Sequence, residues 1–456
     1  MLVKSLLTHS YIHSTEEIRQ WIEQRNLEVK VCIERIPFSA MDNWYQDEDG
    51  SLRHRTGKFF SIEGIHVETD YETMHSWKQP IINQPEIGYL GILTKEFDGV
   101  LYFLMQAKIE PGNVNCVQLS PTLQATKSNY SRIHHGKAPH YLNYFLNAKP
   151  HQIILDQLQS EQGARFLRKR NRNIIIKVDG DVPELEDFRW MTLGQIKEMM
   201  KYNNMVNMDT RTVLSGLNIS EYITPLDTLE GFSARGMSFL TSAQTSYSFK
   251  SINQHLSWLT GLKSKYDLHI TSFPLTRMAE WQILDNEISR QDQLYFKVIG
   301  VRVSIENREV TSWCQPLIQP MQRGICAYLV KRINGIYHFL VQAKMECGNF
   351  DVLELAPTVQ CLTGKVYEDH PPLFYKEVVG ASKENIMYDV WQSEEGGRFY
   401  REQNRNMLVE VDESFPLDVP ERFTWMTLEQ IFQFLRFNNF LNIQSRSLLS
   451  AIPFTK

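Results

Sequence analysis

The chain is written twice, and that repetition limits its fold more than any other feature. Trp77-Lys-Gln-Pro80 recurs as Trp313-Cys-Gln-Pro316, an offset of 313 − 77 = 236. Gln106-Ala-Lys108-Ile-Glu110-Pro-Gly112-Asn113 recurs at that offset as Gln342-Ala-Lys344-Met-Glu346-Cys-Gly348-Asn349, and Pro121-Thr122-Leu-Gln124 as Pro357-Thr358-Val-Gln360. Asp156-Gln-Leu-Gln159-Ser160-Glu161-Gln-Gly163 matches Asp389-Val-Trp-Gln392-Ser393-Glu394-Glu-Gly396, and Asn171-Arg172-Asn173 matches Asn404-Arg405-Asn406. Trp190-Met-Thr-Leu193 and Trp425-Met-Thr-Leu428 close the two copies. Spacing this constant means two equivalent domains, residues 1–235 and 236–456. A length of 456 residues suits two or three domains at ~150 residues each. Gly231 to Ser251, rich in Ser, Thr and Gly, reads as a linker or surface excursion between them.

Several classes of function are excluded early. Basic residues number 48 and acidic ones 53, a net charge of −5 spread along the chain, so no global field attracts nucleic acid or an anionic membrane. No apolar run approaches the roughly 18 residues that span a bilayer. The N-terminal stretch reaches Glu16 and Glu17 without a long apolar segment, which points to the cytosol. The six cysteines include no CxxC pair and the histidines no HExxH, so a metal site has no support. Walker, GxGxxG and GxSxG signatures are absent as well.

Each copy begins with a helical stretch around Trp21 or Trp258. Gly88 to Lys95 and Val100 to Ile109 are strand-like runs about Asp98-Gly99, and the second copy has Asn334-Gly335 there. Both dipeptides favour the positive φ angles of tight hairpin turns. A helix is expected near Ser160 and Ser393, whose hydroxyls can cap free amides. The Trp-Met-Thr-Leu segments introduce amphipathic helices, with Leu193, Ile196, Met199 and Met200 at helical spacing. Each domain is thus α+β, a sheet with helices packed on it.

Alternation along Val100 to Glu110 puts Leu101, Phe103, Met105, Ala107 and Ile109 on a core face, and Gln106, Lys108 and Glu110 in a row on the other. Gln342, Lys344 and Glu346 repeat the row. A lysine between an amide and a carboxylate suits a carbonyl substrate: the ammonium polarises the oxygen while a neighbouring group moves a proton. A solvated face with a weak Lys–Glu pair is the plain alternative. Gln159-Ser160 and Gln392-Ser393, the shared Arg165/Arg398 and Arg172/Arg405, and a helix start together make a candidate pyrophosphate cradle. The run Arg168-Lys169-Arg170 reads as an exposed basic face, because the second copy has Arg401-Glu402-Gln403 instead. Trp77 and Trp313 suit stacking on a nucleobase, with core packing the commoner role for either. After Gln124 the first copy carries Ser128, Asn129, Tyr130, His134 and His135, which the second does not repeat, so one copy has specialised.

QAKIEPGN, PTLQAT with KSNY, DQLQSEQGARF and KRNRN, with their echoes in the second half, resemble the NDP-hexose 2,3-dehydratase family. That resemblance implies a tandem pair of Nudix-like modules assembled as a homodimer. It also implies loss of water across C2 and C3 of a dTDP-linked 4-keto-6-deoxyhexose, with no cofactor and no metal, and a separate 3-ketoreductase consuming the diketo product. The chemistry then assigns Lys108 or Lys344 to the carbonyl oxygen, Glu110 or Glu346 to the proton, and Tyr130 to a candidate acid. Trp77, Gln106, Asn113, Gln124, Ser128, Asn129, Gln159, Ser160, Arg165 and Arg172 are candidate substrate contacts in the first copy. Trp313, Gln342, Asn349, Gln360, Gln392, Ser393, Arg398 and Arg405 are their counterparts, with a weak preference for the first copy as catalytic. Cys347, where the first copy has Pro111, departs from the pattern. The rival readings are a metal-dependent Nudix hydrolase, disfavoured because the expected helix after Gly163 bears no carboxylate, and a non-catalytic sugar-nucleotide binder.

Overall fold

A computed structural model describes residues 1–8, 12–71, 75–127, 138–224, 229–308, 310–364 and 371–455. Among them each copy builds a seven-stranded mixed sheet, helices packing against it, in an α+β arrangement. In the first copy the order is Ile153–Ser160, Arg170–Val178, Gly88–Phe97, Val100–Ile109, with Phe188–Thr192 at the far side. The second copy repeats this with Ile386–Ser393, Gln403–Val411, Gly324–Ile333, Ile336–Lys344 and Phe423–Met426. Both central hairpins form as the dipeptides require. Asp98 and Gly99 take φ of 49° and 77°, and Asn334 and Gly335 take 49° and 82°.

Both faces of the central strand are buried. Leu101, Phe103 and Met105 join one core, while Tyr102 and Leu104 join a second with Trp190 and Phe188. Several helices begin where a hydroxyl caps them. Ser14 and Glu17 form a reciprocal capping box for Thr15–Glu28, as Ser251 and Gln254 do for Ile252–Lys265, and Thr192 with Gln195 starts Leu193–Met199. Each such cap stabilises its helix by about 1 kcal/mol.

The two copies are not beads on a string. The strand Val31–Ile36 lies antiparallel to Phe296–Ile305 of the second copy, and Leu268–Ser272 lies antiparallel to Ser61–Thr69 of the first. The tight turns interlock in the same reciprocal way. Gly112 N–H donates to Gly396 O at 2.7 Å, and Gly348 N–H donates to Gly163 O at 2.6 Å. A Cβ on Gly112 would sit 1.7 Å from Phe399 O, and one on Gly348 1.8 Å from Phe166 O. Glycine at these two positions is therefore set by backbone meeting backbone across the copies.

Two expectations are corrected. The stretch after Gly231 is no linker: Ala234–Gln244 is a helix whose Phe239 is fully buried against Tyr337 and Phe339. Its small residues serve close approach, since a Cβ on Gly236 would meet Phe454 O at 1.8 Å. The second error concerns Ser160 and Ser393, which end strands and start no helix. Their hydroxyls reach across the copies, Ser160 Oγ to Glu354 Oε2 at 2.9 Å and Ser393 Oγ to Gln118 Oε1 at 3.0 Å.

Candidate active site

Because each turn docks on the other copy, a cleft beside the first Gln-Lys-Glu row is built from both. A cavity of about 450 Å³ is lined by Lys108, Glu110 and Gln124 of the first hairpin, and by Glu161, Lys169, Asn171 and Asp209 of the same copy. Its remaining wall comes from the second copy: Trp313, Gln315, Glu395, Gly397 and Arg398. The volume lies in the range of small-ligand sites, about 300–1,000 Å³.

Alternation along the strand aims Lys108 and Glu110 to the same side, and Gln124 ties them together. Lys108 Nζ donates to Gln124 Oε1 at 3.1 Å, and Gln124 Nε2 donates to Glu110 Oε1 at 3.0 Å. Glu110 is 7% exposed, and its Oε2 has no hydrogen-bond partner among the described residues. Lys169 is buried too, its ammonium donating to Glu86 O. Arg398 stacks over Phe60 at 4.1 Å and donates to Gln84 Oε1 at 3.1 Å, which fixes its fork beside the cavity. Asp209 rides a helix, Met208–Leu214, that packs across the copies on Ile443–Ser450. Arg446 Nε donates to Thr212 Oγ1 at 2.9 Å, and Arg211 answers with Ser447 Oγ.

Carboxyls crowded in a poorly hydrated site hold their protons. Burial, then the neighbouring Glu110 and Glu161, pushes Glu395 up to about 7 against the pull of Arg398 and Lys169. Burial and the charges of Glu395, Glu161 and Glu110 push Asp209 well above the usual range, Lys108 opposing. Glu161 is raised by burial, while Lys169 is lowered by it. Glu395 can therefore hold and give up a proton near neutral pH.

The equivalent ground in the second copy is different. Lys344 and Glu346 repeat the row and Gln360 Nε2 donates to Glu346 Oε1 at 2.8 Å, with burial raising the Glu346 carboxyl. Yet Glu402 stands where the first cavity has Lys169, Gln444 where it has Asp209, Gln162 where it has Glu395, and Ala164 where it has Gly397.

A profile described as NDP-hexose 2,3-dehydratase matches residues 15–217 and again 252–452. The chain belongs to that family. A relative from Saccharopolyspora spinosa, named dTDP-4-dehydro-6-deoxy-alpha-D-glucopyranose 2,3-dehydratase, is 46% identical over 443 residues, covering 96% of this chain and 91% of the relative. Relatives with the same name from Streptomyces violaceoruber and Amycolatopsis orientalis are each 42% identical, over 446 and 450 residues. The first of these is covered over 97% of both chains, and the second over 96% of this chain and 90% of its own.

Within this NDP-hexose 2,3-dehydratase, only some sequence candidates meet. Lys108, Glu110, Gln124, Trp313 and Arg398 share the cavity. Trp77, Arg165, Lys344, Glu346 and Gln360 belong to the second copy's counterpart: Arg165 stacks over Phe296 at 4.2 Å, and Trp77 donates to Gln79 at 2.9 Å, as Trp313 does to Gln315 at 2.7 Å. Arg172 and Arg405 do not join a cradle; they are forked onto Asp156 and Asp389 on the partly exposed sheet faces. Gln159 and Gln392 are buried, donating to Leu435 O and Met200 O at 2.9 Å each. With Ser160 and Ser393 spent across the copies, no helix-borne cradle exists there. Asn113 and Asn349 back the interlocked turns, their Oδ1 atoms 2.1 and 2.0 Å from where a Cβ on Gly396 or Gly163 would lie. Gln106 and Gln342 stay in the sheet, opposite Ser120 and Ala356, outside the cavity lining. Ser128, Asn129, Tyr130, His134 and His135 lie outside the described residues.

Sequence reasoning missed Glu161, Lys169, Asp209 and Glu395 as site residues. Lys169 was set aside as an exposed basic run because the copies differ there, and it is 5% exposed. The signal was that very difference: three of these four, Lys169, Asp209 and Glu395, are unshared.

Proposed function

We propose that the Lys108 cavity removes the elements of water across C2 and C3 of dTDP-4-keto-6-deoxy-D-glucose, giving the 3,4-diketo-2,6-dideoxy sugar. The observation that carries this reading is the convergence of Lys108, bridged through Gln124 to Glu110, with Glu395, raised to about 7, and Asp209, raised by burial. A C4 ketone acidifies the proton on C3. Lys108 holds the C4 oxygen as negative charge develops, and Glu110, one lone oxygen facing inward, takes the C3 proton. Arg398, fixed beside the cavity, is the arginine best placed for the diphosphate, and Trp313 offers a face to the base or sugar. The first cavity is the catalytic one on this reading, because its counterpart carries Glu402, Gln444 and Gln162. Homodimer assembly, a Nudix-like ancestry for each mixed sheet and a downstream 3-ketoreductase are parts of the same reading drawn from the resemblance.

Incubation with dTDP-4-keto-6-deoxyglucose should yield a species lighter by one water, read by mass spectrometry, and the activity should survive excess EDTA. Release of a nucleoside monophosphate that EDTA abolishes would instead support the hydrolase. Among the described residues no three His, Cys, Asp or Glu side chains converge to hold a metal ion, and no helix is long and apolar enough to cross a membrane.

A further inference from the structure

Two carboxyl groups from different copies meet at one backbone position. A methyl placed on Gly397 would lie 2.6 Å from Glu395 Oε1 and 3.3 Å from Glu110 Oε1, so both oxygens border the space that Gly397 leaves open. At the counterpart site beside Glu346 the first copy supplies Ala164 in place of Gly397, and Gln162 in place of the acid Glu395. Glu110 is anchored to Lys108 through Gln124 and keeps Oε2 unpartnered among the described residues. Glu395 hangs from the opposite wall, on the turn that carries Arg398.

We propose that Glu395, delivered from the second copy, is the general acid that protonates the departing C2 hydroxyl in the cavity of the first. The inference rests on the dehydratase reading and adds a division of labour to it. Glu110 takes the C3 proton, and the C3–H electron pair moves toward the C4 oxygen held by Lys108. The pair then returns to form the C2–C3 double bond as the C2–O bond breaks. The leaving oxygen keeps that bond's electrons, accepts the Glu395 proton and departs as water. The enol left at C3 gains a proton at C2 and loses one from oxygen, and no oxidant or reductant is consumed. A carboxyl does this only if it is protonated at working pH. Burial and the charges of Glu110 and Glu161 raise Glu395 to about 7, while Arg398 and Lys169 pull it down. Unlike Glu110, it is not hydrogen-bonded to the Gln124 bridge.

The test is E395Q, which installs the residue of the other copy. Turnover should fall by about 10²–10⁴-fold with KM within about twofold. In D₂O the variant should still exchange the C3 proton of the substrate, read as loss of its NMR signal, because the base and the lysine are intact. The wild type should lose activity as pH rises through about 7, a limb that E395Q lacks. E395D, an acid one carbon short, should recover about tenfold or more over E395Q; if E395Q does not fold, E395D carries the test by keeping the alkaline limb with turnover below that of the wild type. Unchanged turnover in E395Q, an E395D no more active than a folded E395Q, an E395D without the alkaline limb, or loss of C3 exchange together with elimination, overturns the assignment while the dehydratase reading stands. A wild-type protein that leaves dTDP-4-keto-6-deoxyglucose intact overturns the dehydratase reading itself, and the assignment with it.

Discussion

At the scale of single residues, two lysines with the same neighbours in sequence should behave differently. Lys108 is linked through Gln124 to Glu110 and faces Asp209, whereas Lys344 faces ground that carries Gln444 and Glu402. Lys108→Met should cost about 10²–10³-fold in kcat, and Lys344→Met less than about threefold. The raised carboxyl of Glu395 has a stability signature too. Between its ordinary 4.5 and about 7 the folded protein holds a proton that the unfolded chain releases, so stability is lost as pH rises through that window. E395Q removes the cost: it should melt higher than wild type at pH 8, by roughly 1–3 °C, and no higher at pH 4. What was legible at this scale was the Lys-Glu row, which alternation alone aims into one cleft. Glu395, Lys169 and Asp209 were not: they come from segments distant in sequence from the row, and only the folded chain brings them to it. In a duplicated chain, agreement marks the scaffold as readily. Ser160, Asn113 and Gln159 are shared because they hold the copies together.

Among elements, the hairpins were the plainest reading, since a positive-φ turn is encoded in two adjacent residues. The segments after Gln159 and Gln392 were not legible. A serine ahead of a polar run looks like a helix cap, and only the partner copy's backbone decides that the chain turns tightly instead. Gly112→Ala and Gly348→Ala test that explanation. Each added methyl would overlap a carbonyl oxygen less than 2 Å away, so each variant should lose about 3 kcal/mol or more by denaturant titration. Gly180→Ala, where a Cβ meets nothing within 4 Å, should change stability by less than about 0.5 kcal/mol. Equal losses in all three would refute a cross-copy origin for the turn glycines. The helix Ala234–Gln244 was hidden for a related reason: its small residues imitate a linker while serving contact with Phe454 and Tyr337.

For the whole molecule, repetition announced two domains, but nothing in a repeat announces that strands are traded. Each half alone would leave an open sheet edge, at Ser61–Thr69 or Phe296–Ile305, and an incomplete cavity. Residues 1–228 and 229–456 expressed apart should aggregate or stay inactive, while co-expression should return soluble, active protein, measured by gel filtration and turnover. Activity from either fragment alone would contradict the shared cavity.

The traded strands have a consequence for how such a chain can change over generations. Were the halves identical, the axis relating them would oblige every alteration to appear at both clefts simultaneously. Joining them in one polypeptide lifts that obligation: Gly397 and Ala164 are free to differ, and each such difference is felt in the opposite half's chemistry. Any attempt to redesign the catalytic cleft must therefore edit both ends of the gene, because part of its wall, from Trp313 to Arg398, is encoded some two hundred codons downstream.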